Sequence, residues 1–483
     1  MQKSLRVCKF IKNQIMRKLS LFFLIVLIIT GCTTNEPENS DSEIHGSDVI
    51  IYSVLSESEK TAEVIDLTTH KYIGNIIIGS VTTINNVKYK VTAIRNNAFE
   101  GCSGITTISV PNSIKSIGSG AFKNCTNLTA ITIPNSVTSI GSSAFFGCSG
   151  LISVEIPDLI TAINDSVFFN CTGLTSIKIP NSITTIGFSS FLNCSKLTSI
   201  TIPKSVSSIG GCAFYKCSSL TSITIPNLIT NIAYGMFVNC SSLTSFVIPN
   251  TIKTIGDGTF SGCSGLKSII IPNSITSIGS GAFDGCSGLT SISIPSSIKT
   301  IGSSTFASCT GLTSFVIPNS INSIGSYAFW GCTGLISITI PTSVNSIGEN
   351  AFNGCSHLTS ITIPNTIKTI NNSTFKNCRG LTSISIPNSI TTICDEAFNG
   401  CSGLPSITLP NSVTTIGNMS FAYCTGLKSI TTYAVGAPFA NTYKATPPFL
   451  GVNLTIPLYV PIQGIDSYTI GLPWNVFQNI IGI

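Results

Sequence analysis

Charged residues are scarce in this sequence. Asp, Glu, Lys and Arg make up 9% of its 483 residues, against about 25% in a usual globular domain. The formal net charge is +6, but six of the 25 basic residues lie in an N-terminal stretch without acids: Lys3, Arg6, Lys9, Lys12, Arg17 and Lys18. Without that stretch, 19 basic residues stand against 19 acidic ones. Nucleic-acid binding relies on clustered Lys and Arg, so this balance excludes it.

Residues suited to catalysis or metal binding are also rare. The three histidines, His45, His70 and His357, are far apart in the sequence. His357 precedes Leu358 at a position that varies between repeats, so we expect a solvated loop residue. The sequence has no G-x-S-x-G, H-E-x-x-H or P-loop motif and no C-x-x-C pair. We therefore expect no enzyme, no metal site, no cofactor and no small-molecule substrate.

The N-terminal apolar run is too short for a membrane span. It extends from Leu19 to Ile29, whereas a transmembrane helix needs about 20 residues. With its basic start it predicts a secretion signal over residues 1–31. Ile29-Thr30-Gly31-Cys32 resembles the bacterial lipobox, which implies lipidation of Cys32; the alternative is an ordinary signal peptide with a chance cysteine. Residues 32–45 are polar and acidic and predict a flexible tether.

A repeat of 23 residues runs without insertion from Phe99 to Phe421. Its skeleton is F-x-x-C-x-x-L-x-x-I-x-I-P-x-x-[IV]-x-x-I-G, and a fixed period of this length predicts a solenoid. In the repeat that begins at Phe283, the L-x-x-I-x-I segment ending at Ile294 predicts a strand, since its apolar residues share one face. Pro295 ends that strand. Ile298 and Ile301 are predicted on the opposite wall, followed by a tight corner with positive φ at Gly302.

Both ends of the repeat array depart from the pattern. Residues 46–97 predict an N-terminal β cap in which Ile76 and Ile78 imitate the repeat and a hairpin turns at Asn85-Asn86. Residues 98–430 form the predicted solenoid of about fifteen coils. Residues 431–483 are rich in proline and predict a C-terminal cap. Trp474 and Phe477 are its expected anchors, with ligand stacking as the alternative role.

Fifteen of the 19 cysteines recur at the 23-residue spacing, from Cys102 to Cys424. In a secreted protein this number would suggest disulfides. In-register parallel coils, however, keep neighbouring Cβ atoms about 4.8 Å apart, beyond the distance typical of a bridge. We predict a ladder of buried free thiols. Cys212 and Cys394 lie off the ladder and are not expected to pair.

The pattern C-x-x-L-T-S-I-T-I-P-N-S-[IV]-T-x-I-G-x-x-A-F resembles the BspA-like, or Treponema pallidum-type, leucine-rich repeats. Residues 218–226, Ser-Ser-Leu-Thr-Ser-Ile-Thr-Ile-Pro, are close to that consensus. The resemblance covers about residues 46–483 and implies a leucine-rich-repeat-type right-handed coil. That coil is mainly β, with short 3₁₀ or extended pieces on its convex side. It also implies a surface-exposed lipoprotein associated with adhesion to host matrix proteins, other microbes or host receptors, and no catalytic motif.

Candidate binding residues are departures from the repeat consensus. The position after the ladder Phe is apolar in five consecutive coils and predicts a stripe that contacts a partner: Phe146, Phe169, Leu192, Tyr215 and Val238. The other interpretation of the stripe is extra packing beside the corner. Val247, Ile270 and Val316 interrupt the hydroxyl-rich strand face. Asp165-Ser166-Val167 fits a short O-glycosylation motif of some anaerobes.

These features favour a non-catalytic binding or adhesion protein on the surface of the bacterial outer membrane. It would be lipid-anchored at Cys32 and would contact a protein or glycoprotein on host or neighbouring cells. One alternative is a structural spacer of the envelope. The other is a glycan-binding accessory lipoprotein, which clustered aromatic residues on the strand face would favour. The strand positions have no such cluster.

Overall fold

The repeat folds into a β-solenoid, as predicted. The computed structural model describes residues 50–66, 71–440 and 447–483, and the strand Ile44–His45. Signal peptide 1–31, Cys32 and His70 lie outside these residues, as does the tether apart from that strand. Each main strand follows the repeat's Leu and pairs in parallel with the residues 23 positions later, as Ser268↔Ser291 illustrates. Together these strands form the first wall: Ile44–His45, Tyr72–Ile77, Gly104–Ser109, Ala130–Thr132, Ser153–Glu155, Ser176–Lys178, Ser199–Ile200, Ser222–Ile223, Ser245–Val247, Ser268–Ile270, Ser291–Ser293, Ser314–Val316, Ser337–Thr339, Ser360–Thr362, Ser383–Ser385, Ser406–Leu409, Ser429–Thr432, Pro457–Val460 and Asn479–Gly482.

The second wall also consists of parallel strands, most of them two residues long. They coincide with the x-I pair before the repeat's Gly, so Ile301 and Ile324 lie in register inside the coil. The sequence predicted short 3₁₀ or extended pieces on this side. The described repeats have extended pieces, joined by turns. Its strands are Val87–Ile94, Ser116–Ile117, Ser139–Ile140, Ala162–Ile163, Thr185–Ile186, Ser208–Ile209, Asn231–Ile232, Thr254–Ile255, Ser277–Ile278, Thr300–Ile301, Ser323–Ile324, Ser346–Ile347, Thr369–Ile370, Thr392–Ile393, Thr415–Ile416 and Phe439–Ala440.

The expected positive φ at Gly302 is wrong. The left-handed residue is Ser304, with φ 56°, and the equivalent position has φ 63° at Gly281 and 60° at Tyr327. Close approach between coils explains the glycine of the next coil instead, because a Cβ on Gly325 would lie 2.7 Å from the carbonyl carbon of Gly302. Each coil thus turns at a fixed place that is filled by several residue types.

A stack of phenylalanines fills the core. The rings of Phe260, Phe283 and Phe306 are stacked at centroid spacings of 5.5 and 5.7 Å and are fully buried. Leu, Ile and Cys form parallel rows around them. Burial of one large apolar side chain contributes about 1.5–3 kcal/mol. Ordering the backbone costs about 1–2 kcal/mol for every residue of the coil, which offsets the gain from the few large side chains that one coil buries. A coil is therefore stable only in contact with its neighbours.

The N-terminal segment contains the predicted hairpin. Strands Val81–Ile84 and Val87–Ile94 pair antiparallel, with Ile84 opposite Val87. Asn85 and Asn86 have φ of 50° and 62°, the signs that a type I′ turn requires. Two further strands, Tyr52–Ser56 and Thr61–Val64, pair antiparallel, and the second joins Val87–Ile94 in parallel.

The C-terminal segment continues the sheet and the aromatic stack. It contains the helix Ile465–Ile470 and the 3₁₀ turns Ile462–Gly464 and Trp474–Val476. Phe449 stacks on Phe421 at 5.6 Å, and both Trp474 and Phe477 pack against Phe449. Trp474 is 0% exposed and its indole N–H donates to the Pro438 carbonyl. Trp474 is therefore a packing anchor, as expected, and its buried ring has no face for ligand stacking. Among the described residues, we find no helix with the length and hydrophobicity that a membrane span requires.

Candidate interaction surface

The predicted stripe lies in the turn between the second and the first wall. In this turn the residue after the ladder Phe projects at a corner, and the next residue has positive φ, for example Asn170 at 57° and Asn193 at 60°. The backbone N–H of Asn170 donates to the carbonyl of Leu192 at 2.7 Å, and that of Asn193 to Tyr215 at 2.6 Å. These bonds hold equivalent corner residues of successive coils in register. We call the whole series of positions after the ladder Phe the corner row.

The five stripe residues are neighbours along the corner row, and all are half-buried. The rings of Phe146 and Phe169 stack at 4.5 Å with an interplanar angle of 5°. Lys123 and Lys216 lie over the rings of Phe146 and Tyr215, at 5.9 and 5.7 Å from the centroids. Part of each side chain thus packs on the solenoid and part faces solvent. Both interpretations of the stripe share this geometry.

The corner row continues beyond Val238 with residues that the sequence analysis did not select. The next positions are Ser261, Asp284 and Ala307, followed by Trp330. Trp330 is 44% exposed, whereas Ala307 beside it is 4% exposed. Asp284 is half-buried. Comparing every coil at this one position, rather than only the consecutive apolar ones, would have found them.

A second aromatic pair lies four residues before the corner row in the repeat. Phe188 and Tyr234 occupy the place after the repeat's Gly in coils two apart, and their ring centroids are 6.2 Å apart. The coil between them carries Gly211, where a Cβ would lie 2.7 Å from the Tyr234 ring. The glycine lets the two rings meet, and Tyr234 remains 53% exposed. The stripe coils therefore carry additional aromatic surface.

The sequence of the repeats matches a known protein family. Five overlapping stretches match the family model of the BspA type leucine rich repeat region: 92–220, 142–264, 186–312, 230–359 and 323–435. The chain belongs to the BspA-type leucine-rich repeat family. No curated protein matches it.

Solved leucine-rich repeat structures resemble this one. A leucine-rich repeat protein from Bacteroides ovatus is 27% identical, with a TM-score of 0.58, and the match covers 90% of this chain and 98% of that one. A leucine rich cell surface protein from Faecalibacterium prausnitzii is 29% identical, with a TM-score of 0.47, over 80% of this chain and 95% of its own. The family and the fold are thus those of leucine-rich repeat proteins, as the motif predicted.

The apolar spot on the strand face of the leucine-rich repeats is small. Val247 and Ile270 are paired across adjacent strands and are 79% and 80% exposed. Ser293 occupies the next coil, so Val316 is separated from them. The structure brings together two of the three predicted residues.

Many hydroxyls of the repeats are already hydrogen-bonded within the solenoid. Thr175 donates to the backbone carbonyl of Ile152 at 3.1 Å, and Thr359 donates to Ile336 at 3.2 Å. Ser205 donates to Ile183 at 2.6 Å in a second row. Each bond links a coil to the preceding one. The hydroxyl-rich surface is therefore partly a structural device, with fewer free donors than the sequence suggests.

The predicted ladder of free thiols is present. The fifteen ladder cysteines, from Cys102 to Cys424, are free and buried. Fourteen of these thiols donate to a Phe carbonyl of the preceding coil, at 3.0–3.2 Å. Burial raises the pKa of the Cys217 and Cys263 thiols to about 12. The described residues contain no cluster of His, Cys, Asp or Glu suited to a metal ion. These cysteines are structural.

The remaining candidate residues have local roles. The ring nitrogen Nδ1 of exposed His357 lies 2.6 Å from the Thr333 carbonyl, which agrees with a loop position. The Asp165 carboxylate accepts a hydrogen bond from the Phe188 backbone N–H at 2.7 Å, so it links two coils. Ser166 has φ 58° and is half-buried; its glycosylation stays a prediction.

Proposed function

We propose that this protein is a non-catalytic binding protein on the bacterial outer-membrane surface, held by a lipid on Cys32. Its partner is a protein or glycoprotein on a host cell or a neighbouring cell. The stripe Phe146, Phe169, Leu192, Tyr215 and Val238 contacts that partner. The solenoid is the scaffold that keeps these side chains in line.

The in-register stacking of the stripe is the observation that carries the proposal. Five apolar side chains follow one another at about 4.8 Å per coil, and the first two stack ring on ring. Contiguous apolar surface of this kind often marks an interface. Lys123 and Lys216 flank the aromatic rings and add polar groups at the edge, as protein interfaces commonly have. Weak contacts along several coils add up through multivalency.

Protease shaving of intact cells tests the location. Release of repeat peptides, while a periplasmic control protein stays intact, is the expected result. Mass spectrometry of the peptide that begins at Cys32 should show the lipid. Repeat peptides that appear only after lysis would instead favour an envelope spacer facing the periplasm.

Serine substitutions test the stripe. Ser261 occupies the same corner position in another coil, so Phe169→Ser combined with Tyr215→Ser should leave the fold intact. We expect adhesion of cells displaying this variant to fall at least tenfold. The matched control is Val247→Thr with Ile270→Thr, since Thr224 takes the equivalent strand position. Loss of adhesion in the control alone would indicate that the partner contacts the strand face and not the stripe.

A further inference from the structure

Three consecutive coils place an acid and a tryptophan on either side of a small residue. The Gly262 N–H donates to the Asp284 carbonyl at 2.6 Å, Gly285 to Ala307 at 2.8 Å, and Ser308 to Trp330 at 2.6 Å. This series holds the three corner residues in register. At about 4.8 Å per coil, Asp284 and Trp330 lie about 10 Å apart along the corner row.

Within the described residues, the Asp284 carboxylate has no internal partner. Among the described residues, no salt bridge or hydrogen bond engages it. It is half-buried, and this burial raises its pKa. Asp257 and Asp395 differ, because each accepts a backbone N–H of the next coil at 2.8 Å. A partly desolvated carboxylate without a partner is unfavourable, so an external cation would stabilise it.

Trp330 presents an aromatic surface on the other side of Ala307. It is 44% exposed, while Ala307 between the two is a small residue that is 4% exposed. Tyr327 belongs to the same turn, since its backbone carbonyl accepts the backbone N–H of Trp330 at 3.0 Å. Its side chain is also exposed. We call this stretch of the corner row, with an acidic residue at one end and an exposed tryptophan at the other, the notch.

We propose that Asp284 and Trp330 form a recognition site for an arginine or lysine side chain of a protein partner. The carboxylate accepts charge-assisted N–H bonds, and a cation over the indole gains a cation–π interaction. Arginine fits best, because its planar guanidinium both pairs with carboxylates and stacks on aromatic faces. The site rests on the proposed function, since it names the chemistry of the partner that the corner row contacts.

Tryptophan fluorescence offers a direct test. The sequence has two tryptophans, and Trp474 is 0% exposed, so a ligand-induced change reports Trp330. The probes are the peptide acetyl-Gly-Arg-Gly-amide and the same peptide with neutral citrulline. We expect a saturable change with arginine and none with citrulline. Asp284→Asn should weaken arginine binding about tenfold.

The matched control is Asp158→Asn. Asp158 is exposed at a position where most coils carry Asn, so this variant removes one negative charge away from the notch. Its arginine binding should equal that of the wild type. In a second measurement, saturation-transfer NMR, Trp330→Ala should lose the signal of the arginine peptide.

Equal responses to arginine and citrulline, or unchanged binding by Asp284→Asn, would overturn the site. A fluorescence response to methyl glucoside but not to the arginine peptide would also overturn the site, and would indicate a glycan as the ligand. Cell adhesion separates the two proposals. Adhesion without arginine binding refutes this site alone, whereas arginine binding without adhesion refutes the proposed function.

Discussion

The thiol of Cys286 donates a hydrogen bond to the backbone carbonyl of Phe260, in the preceding coil, at 3.2 Å. Both groups lie in the core, beyond the reach of water. A carbonyl oxygen has two lone pairs and can accept two hydrogen bonds. The same carbonyl also accepts the backbone N–H of Cys263 at 3.0 Å, within its own turn. The cysteine therefore does more than fill a small apolar space: it supplies a second donor to this carbonyl and links two coils.

Replacing one ladder thiol should measurably destabilise the protein. Cys286→Ala removes one of the two hydrogen bonds to the Phe260 carbonyl and leaves a small cavity, so we expect the free energy of unfolding to fall by about 1–2 kcal/mol. Urea denaturation followed by circular dichroism measures it. The matched control is Cys394→Ala, because Cys394 is half-buried and Ala233 takes the same position in another coil. Equal losses in both variants would contradict a specific role for the bond.

Ladder thiols should resist alkylation in the folded protein. The thiolate is the reactive form, and burial raises the pKa of Cys332 and Cys424 to about 12. At pH 8 iodoacetamide should modify half-buried Cys394 faster than any ladder cysteine, with all of them reacting in urea. Peptide mapping by mass spectrometry checks the order. Rapid labelling of a central cysteine such as Cys263 would show that the coil opens locally.

Stability should decline above about pH 9. The usual thiol pKa is 9.0, and folding raises that of Cys217 and Cys263 to about 12. Below pH 9 both states hold the proton, so the stabilising contribution is complete. As the pH rises from 9 towards 12, only the unfolded chain releases the thiol proton. This lowers the free energy of unfolding by up to about 1.4 kcal/mol for each thiol and each pH unit. Urea midpoints from pH 7 to 10.5 measure this, and a flat profile would contradict it.

A glycine at the left-handed turn position should stabilise the solenoid. Ser304 has φ 56°, a conformation that costs a residue with a Cβ about 1 kcal/mol relative to glycine. Ser304→Gly should raise the thermal midpoint, because Gly281 already occupies this position. Ser303→Gly is the control, since Ser303 does not have positive φ; it should leave the midpoint unchanged or lower. A lower midpoint for Ser304→Gly would show that the backbone at Ser304 is not strained.

Regularity made most of the fold predictable. A strict 23-residue period places equal residues over one another, so the alternation that ends at Ile294 and the following Pro295 defined the first wall. Asn85-Asn86 predicted its hairpin for the same local reason, because the two residues tolerate positive φ. Trp474 and Phe477 stood out as the large apolar residues of a segment that had lost the period.

Contacts between coils were decided only by the tertiary structure. The sequence determined that this protein is a solenoid with rows of Phe, Leu, Ile and Cys, and where its departures from the consensus lie. It did not determine that Ser304 rather than Gly302 adopts the left-handed turn, that Cys286 donates to Phe260, or that the Asp284 carboxylate has no hydrogen bond or salt bridge within the described residues. Each of these depends on which atoms of neighbouring coils meet, at separations of 23 residues or more, and a linear pattern does not carry that geometry.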